Sequence, residues 1–191
     1  RHPPVAAVLL PSLSRQTGIH PVEIGSEVIG PEFRVVLPEP RREALEVAPG
    51  DRVLEIGTGS GYVTACLAGL GARVLSLEID SALAGQAREN LALPELRGVE
   101  VRDGDGLAGP VEGGPFDVIA VTGSLPDDEA LPGLQEQLAP GGRLFVVIGE
   151  GSAMKATLVT RTSPSGLARQ TLFETSVPAL ANTPQPERFV F

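Results

Sequence analysis

From Arg52 onward, short apolar runs recur along the chain, most of them ending in glycine or acidic residues. Runs of this length, rich in Val, Ile and Leu, are typical of strands buried on both faces of a sheet. The predicted strands are RVLEIG (52–57), ARVLSLEID (72–80), VEVRDGD (99–105), FDVIAVTGS (116–124) and RLFVVIGEG (143–151). Their regular spacing predicts one continuous sheet.

Three segments with helical periodicity separate most of these runs. The first, SGYVTACLAGLG (60–71), ends at Gly71, and its apolar stripe consists of Val63, Cys66, Leu67 and Leu70. The second, SALAGQARENLAL (81–93), has Ser81 as its expected N-cap, and the third, LPGLQEQLAP (131–140), is expected to stop at its last proline. Strands that alternate with helices predict a doubly wound α/β fold with a mostly parallel sheet.

The carboxyl-terminal region has a different pattern. Residues 154–176 contain two strand-like runs separated by the turn residues SPSG, with no helix between them. This pattern predicts an antiparallel hairpin at one edge of a Rossmann-like, seven-stranded sheet, and the final RFVF is a candidate for one more short strand. We expect one domain, divided into an irregular cap (1–45), a core (46–151) and a hairpin with tail (152–191).

Composition narrows the class of protein. The 191 residues carry a net charge of −9, so no basic excess is present for sequence-independent binding to nucleic acid. No apolar run approaches the ~18–20 residues of a membrane span. Prolines interrupt the first 14 residues, which we interpret as part of the chain rather than a signal peptide. The single cysteine, Cys66, excludes an internal disulfide and favours a reducing cytoplasm.

The stretch EIGTGSGY (55–62) ends the first predicted strand and begins a helix. In open α/β sheets, ligands bind beyond the carboxyl ends of the strands. Gly57, Gly59 and Gly61 are able to adopt backbone angles forbidden to other residues and let a ligand touch the main chain. The alternative is a tight turn without a ligand, although one glycine usually suffices for such a turn. The stretch therefore predicts a ligand site.

The spacing and the preceding carboxylate indicate the kind of ligand. Dinucleotide sites use G-x-G-x-x-G, whereas this loop reads G-x-G-x-G and follows Glu55. A carboxylate there would repel a pyrophosphate and attract a cation. S-adenosylmethionine carries a sulfonium and an ammonium group, so it suits the loop better than a nicotinamide cofactor. A nicotinamide-dependent oxidoreductase is the less favoured alternative, because the glycine spacing and Glu55 both oppose it.

Two further acidic residues end the next two predicted strands. Glu78 lies 21 residues after Gly57, where a carboxylate can accept hydrogen bonds from ribose hydroxyls. Asp105, within the GDG of residues 104–106, is a candidate acceptor for the adenine amine. The alternatives are a solvated strand end for Glu78 and an ordinary Asp-Gly turn for Asp105. Together with Glu55, the set predicts a cofactor site along one sheet edge.

With these motifs, the sequence resembles a class I S-adenosylmethionine-dependent methyltransferase, and more narrowly the protein-L-isoaspartate O-methyltransferase family. The matching pieces are PGDRVLEIGTGSGY (49–62), GDG (104–106), FDVIAVTGS (116–124), LAPGGRLFVVIGEG (138–151) and the tail (172–191). The resemblance implies a methyl ester formed on a protein or peptide carboxylate. An ionised carboxylate needs no general base, so the absence of an obvious one is expected, and no catalytic residue is assigned.

The resemblance also extends the set of expected cofactor contacts. The candidate cofactor-binding residues are Glu55, Gly57, Thr58, Gly59, Ser60, Gly61, Glu78, Ile79, Gly104, Asp105, Gly106 and Thr122. By the same likeness, residues 122–124 would line the methyl-transfer pocket. No metal ligands are predicted, because the acidic cluster at residues 127–129 has no His or Cys at a suitable spacing.

One loop departs from the family pattern. The family has approximately Ile-Gly-x-Gly-x-Thr-Ile-Ser-x-Pro before the glycine strand, with hydroxyl residues that line the active site. Here IGSEVIGP (24–31) is two residues shorter, and Val28-Ile29-Gly30 replace the hydroxyl-bearing Thr-Ile-Ser. This leaves a second hypothesis: a homologue that binds the cofactor but has lost isoaspartyl activity, and that acts on another acceptor or as a binding or assembly protein.

Overall fold

The computed structural model describes residues 23–24, 27–28, 45–150 and 154–183. Most of the predicted cap at residues 1–45, the greater part of the departing loop at 24–31, and the RFVF run lie outside the described residues. The described residues therefore comprise mainly the core and the hairpin.

Short strands and helices alternate through the core as the apolar runs predict. The strands are β1 (Glu23–Ile24), β2 (Glu27–Val28), β3 (Arg52–Ile56), β4 (Arg73–Glu78), β5 (Val99–Asp103), β6 (Phe116–Leu125), β7 (Leu138–Ile148), β8 (Met154–Arg161) and β9 (Leu167–Thr175). The helices are α1 (Tyr62–Gly69), α2 (Ser81–Asn90) and α3 (Leu131–Glu136), with a 3-10 turn at Pro94–Leu96.

The main sheet has seven strands in the order β5-β4-β3-β6-β7-β8-β9, and β1 and β2 form a separate antiparallel pair. The first five strands in this order, from β5 through β4, β3 and β6 to β7, pair in parallel. Strand β8 runs antiparallel to both of its neighbours, β7 and β9. The predicted doubly wound, mostly parallel sheet with an antiparallel carboxyl-terminal hairpin is confirmed. Because β5, β4, β3 and β6 are adjacent and parallel, their carboxyl ends meet at one edge.

Apolar side chains cover both faces of this sheet. One face holds the largest cluster, which includes Leu54, Ile119 and Leu144, each with 0% exposure. Helix α1 packs against the cluster on the other face through Leu67 and Val63, and Cys66 is also buried, but Leu70 is 49% exposed, so the predicted stripe is one turn shorter than expected. Because close-packed interiors resist small displacements, this core holds the carboxyl ends of the parallel strands in fixed positions.

Two predicted helix boundaries are wrong. Helix α3 ends at Glu136 rather than at Pro140, because the Gln137 carbonyl accepts a hydrogen bond from the amide of Phe116, 2.8 Å away, and β7 begins at the next residue. Sheet pairing therefore takes over before the proline is reached. Helix α2 is capped by Asp80 rather than Ser81, since Asp80 Oδ1 accepts from the amides of Ala82 (2.8 Å) and Leu83 (3.1 Å).

Variants at the N-cap of α2 test whether Asp80 rather than Ser81 caps this helix. Asp80→Ala should lower the free energy of unfolding by about 1 kcal/mol, because two helix amides lose their acceptor. Ser81→Ala should change it by less than about 0.5 kcal/mol, since Ser81 is exposed and makes no capping bond. Urea denaturation followed by circular dichroism measures both. A larger loss in Ser81→Ala would contradict the assignment of the cap.

Candidate functional site at the carboxyl edge

The chain leaves β3 through a loop in which three glycines adopt left-handed backbone angles. The φ values are +96° at Gly57, +54° at Gly59 and +85° at Gly61. Residues with a Cβ are strained in this region, so the loop requires glycine at all three positions. The special backbone conformation predicted from the sequence is confirmed.

The three glycines have different surroundings. A Cβ at Gly57 would lie 2.7 Å from Thr122 Oγ1, and one at Gly61 would lie 2.8 Å from the side chain of Leu91. At both positions, neighbouring side chains leave no room for a Cβ, and the positive φ also disfavours any residue other than glycine. A Cβ at Gly59 would meet no atom within 4 Å. The middle glycine is the one that borders open space.

Glu78, the last residue of β4, holds this loop through its carboxylate. Its Oε2 accepts a hydrogen bond from the amide of Gly59 at 2.8 Å, and its Oε1 accepts from the amide of Asp80 at 3.1 Å. The side chain is 7% exposed. The predicted position at the strand end is confirmed, and the carboxylate has the further role of fixing the middle of the glycine loop.

Glu55 lies beneath the loop and is completely buried. Its Oε2 accepts hydrogen bonds from Thr64 Oγ1 at 2.5 Å and Ser76 Oγ at 2.7 Å, and Ser76 Oγ is itself 2.6 Å from Thr58 Oγ1. Its Oε1 has no hydrogen-bond partner among the described residues. A buried carboxylate oxygen without a partner is unfavourable, so this atom is available to a donor or cation.

Burial also changes the acidity of Glu55. Desolvation raises the pKa of its carboxyl from 4.5 to about 7, and the charge of Glu78 adds to this rise. The hydrogen bonds from Thr64 and Ser76 oppose it. Nearby, burial raises the pKa of the Cys66 thiol to about 12, so this side chain stays neutral and acts as a core residue.

Asp105 follows β5 on the neighbouring side of the same edge. Its Oδ1 accepts from the amide of Leu107 at 2.9 Å, and the amide of Gly104 donates to the Glu78 carbonyl at 2.8 Å, which ties the two loops together. A Cβ at Gly104 would meet no atom within 4 Å, whereas one at Gly106 would lie 2.8 Å from Ile56. Open space therefore borders the loop before Asp105.

Thr122, near the end of β6, binds the glycine loop from the other side. Its Oγ1 lies 2.5 Å from the Gly57 carbonyl oxygen and 3.0 Å from that of Ile56. The remaining candidates are peripheral: Ile79 is 40% exposed, and the Ser60 carbonyl accepts from Asn90 Nδ2 at 2.9 Å. The predicted residues thus lie along one edge of four adjacent strands.

A segment that the sequence did not mark as part of the site crosses this edge. Residues 176–183, which we call the strap, pair with β6: the amide of Leu180 donates to the Ser124 carbonyl at 3.0 Å, and the amide of Ser124 donates to the Pro178 carbonyl at 2.9 Å. The Leu180 side chain lies against Gly57 and Gly123, with its Cδ2 3.0 Å and 2.7 Å from a Cβ at those positions. Beyond it, Asn182 Nδ2 donates to Asp105 Oδ2 at 2.8 Å.

Comparison with known proteins identifies the family. Residues 38–181 match the family model described as protein-L-isoaspartate(D-aspartate) O-methyltransferase. The chain belongs to this family. Curated family members include the protein-L-isoaspartate O-methyltransferases of Gloeobacter violaceus (42% identity over 86% of this chain) and Anaeromyxobacter dehalogenans (46% over 65%). These alignments span 79% and 59% of the two relatives.

Solved structures of the family have the same fold. A protein-L-isoaspartate O-methyltransferase structure aligns with 31% identity and a TM-score of 0.64, over 72% of this chain and 44% of its own. A protein-L-isoaspartate O-methyltransferase from Plasmodium falciparum, in complex with S-adenosyl-L-homocysteine, aligns over 92% of this chain and 97% of its own. It has a TM-score of 0.63, and at 22% identity it supports the fold alone.

A metal site and a membrane-spanning helix both lack support in the described part of the chain. No group of three or more His, Cys, Asp or Glu side chains there is placed to hold a metal ion. Across the same residues, none of the helices is long and apolar enough to be a transmembrane segment.

Proposed function

We propose that this member of the protein-L-isoaspartate(D-aspartate) O-methyltransferase family is an S-adenosylmethionine-dependent enzyme that methylates a carboxylate on a protein or peptide. The observation that carries the proposal is the arrangement of Glu55, Glu78 and Asp105 around a left-handed glycine loop at one edge of the sheet. The leading acceptor is isoaspartate, which fits the family, and its ionised carboxylate needs no general base.

The residues at this edge fit the proposed cofactor in three ways. Glu55 Oε1 is a buried carboxylate oxygen without a partner among the described residues, which suits a cationic methionine end. Open space borders Gly59 and Gly104, so a ligand can approach the main chain at both places. Glu78 keeps unused acceptor capacity, because a carboxylate offers about four acceptor positions and this one uses two.

The chain's own residues would bind and orient rather than transfer protons. When bound, S-adenosylmethionine supplies an electrophilic methyl group on a sulfonium and leaves as S-adenosylhomocysteine. The acceptor carboxylate is ionised at pH 7, so it would accept the methyl group without a side chain having to remove a proton from it. The enzyme's contribution is then alignment of the two reactants in a site with little water.

The test has two stages, binding and turnover. Calorimetric titration with S-adenosylmethionine and S-adenosylhomocysteine is expected to give a single site. Methyl transfer is then measured to a peptide containing isoaspartate and to the same peptide with ordinary aspartate, and only the first is expected to react. Binding without turnover on either peptide would favour a homologue with another acceptor, which the shortened loop at 24–31 also suggests. Absence of binding would refute the proposal.

One glycine variant tests the position of the ligand. Gly59→Ala should weaken the binding of S-adenosylhomocysteine at least about tenfold, because its Cβ enters the open space beside the loop. Gly141→Ala is the matched control, since it also has a left-handed φ (+78°) and open space around a Cβ but lies away from the carboxyl edge. Both variants should lose about 1 kcal/mol of stability to backbone strain. Equal affinities in the two variants would contradict the position.

A further inference from the structure

The strap contacts Asp105, the acidic residue that we propose as the acceptor for the adenine amine. Asn182 donates from its side-chain amide to Asp105 Oδ2 at 2.8 Å, across a sequence separation of 77 residues. The donor is an NH₂ group on a planar carbon, and so is the 6-amino group of adenine. The protein therefore presents to Asp105, from its own chain, the kind of group that the proposed ligand would present.

The contact is not needed to orient Asp105. The amide of Leu107, in the same loop, already fixes the other oxygen of this carboxylate at 2.9 Å. Asn182 makes its contact from a left-handed backbone angle (φ +64°), which is unfavourable for a residue with a Cβ, although Asn tolerates it better than most. Asn182 thus satisfies an exposed acceptor from a strained position instead of supporting the fold of the loop.

The strap is anchored on both sides of this contact. Leu180 pairs with Ser124 through its backbone and packs against the glycine loop through its side chain, whereas Ala181 and Asn182 are exposed. Thr183 Oγ1 donates to the Leu180 carbonyl at 3.0 Å, which closes the chain into a turn after Leu180. Because Thr183 is buried as well, loss of the Asn182 contact would free only the exposed turn at residues 181 and 182, without disturbing the anchor on either side.

We infer that Asn182 is an internal competitor for the adenine amine: its side-chain amide occupies Asp105 in the free protein and is displaced when the cofactor binds. This inference rests on the proposed function. It makes Asn182 a determinant of cofactor affinity, since binding has to break one hydrogen bond before Asp105 accepts from the ligand. It also couples binding to release of the exposed turn at residues 181 and 182.

The test is removal of the competing amide by Asn182→Gly, because glycine adopts the left-handed angle without strain. The affinity for S-adenosylhomocysteine, measured by calorimetry, is expected to rise about three- to tenfold, the range that corresponds to one accessible hydrogen bond. Ala181→Gly is the control for backbone flexibility, because it leaves the amide in place, and its affinity should equal that of the wild type.

A second ligand separates competition for Asp105 from simple blocking by the strap. With the analogue of S-adenosylhomocysteine whose purine lacks the 6-amino group, Asn182→Gly should give no gain, since no ligand amine contends for the acceptor. An equal gain with both ligands, or no gain with S-adenosylhomocysteine, would overturn the inference while wild-type binding left the proposed function intact. Failure of the wild type to bind S-adenosylhomocysteine would overturn both.

Discussion

Gly57→Ala is expected to be the most damaging single substitution in the glycine loop, with a loss of about 3 kcal/mol in the free energy of unfolding and more than about 100-fold in cofactor affinity. Two effects add together. The φ of +96° is unfavourable for alanine, and the new Cβ would lie 2.7 Å from Thr122 Oγ1 and 3.0 Å from Leu180 Cδ2. Urea denaturation and calorimetric titration with S-adenosylhomocysteine measure the two losses.

The control isolates the steric part of this effect. Gly50 has a similar φ (+90°) with no atom within 4 Å of a Cβ, so Gly50→Ala should lose only about 1 kcal/mol and keep its affinity. The double variant Gly57→Ala, Thr122→Ala removes the oxygen nearest to the new Cβ and should recover about 1 kcal/mol relative to simple additivity. Equal stability of Gly57→Ala and Gly50→Ala would show that the loop relaxes around the side chain.

The fold could be predicted from sequence because the signals for it are local. Apolar runs such as RVLSLE are continuous within one strand, and the turn residues SPSG mark the hairpin directly. The boundary at Pro140 failed for the opposite reason. The hydrogen bond from Phe116 that draws the chain into β7 comes from 21 residues earlier, and helical periodicity carries no information about it.

The site was predicted only in part, for the same physical reason. Glu55, Glu78 and Asp105 lie at the ends of three successive predicted strands, and parallel strands share one carboxyl edge, so their common location could be predicted. The partners of Glu55 left a weaker sign: Ser76 is a hydroxyl inside an otherwise apolar run, and Thr64 interrupts the apolar residues of α1. Asn182 left none, because its contact with Asp105 depends on how the strap crosses the finished sheet.

Glu55 is expected to make the stability of the protein fall as pH rises from about 5 to 8. Burial raises the pKa of this carboxyl from 4.5 to about 7, so between these values the folded protein holds a proton that the unfolded chain has released. Folding is favoured while that proton is bound, and the advantage is lost as pH passes through 7. At about 1.4 kcal/mol for each pH unit, the loss approaches about 3 kcal/mol.

Glu55→Gln separates this effect from the titration of other groups. The amide has nearly the same shape and does not ionise, so the difference in unfolding free energy between wild type and variant should change by up to about 3 kcal/mol between pH 5 and 8. Glu100→Gln is the control, because Glu100 is exposed and its hydrogen bond with Arg102 holds its pKa below the ordinary value. Parallel stability curves for wild type and Glu55→Gln would contradict the raised pKa.

The same proton links cofactor binding to pH. A cationic ligand favours the ionised form of Glu55, so binding below pH 7 should expel the proton, and the affinity for S-adenosylmethionine should rise by up to about fivefold from pH 6 to 7. Glu55→Gln should bind more weakly at pH 8 and show a flat profile over this interval. Calorimetry in two buffers of different ionisation enthalpy detects the released proton directly.

Because Oε1 of Glu55 has no partner among the described residues, such a proton is the one that a bound cation would replace. A wild-type affinity that does not change between pH 6 and 8 would show that Glu55 only supports the loop from below.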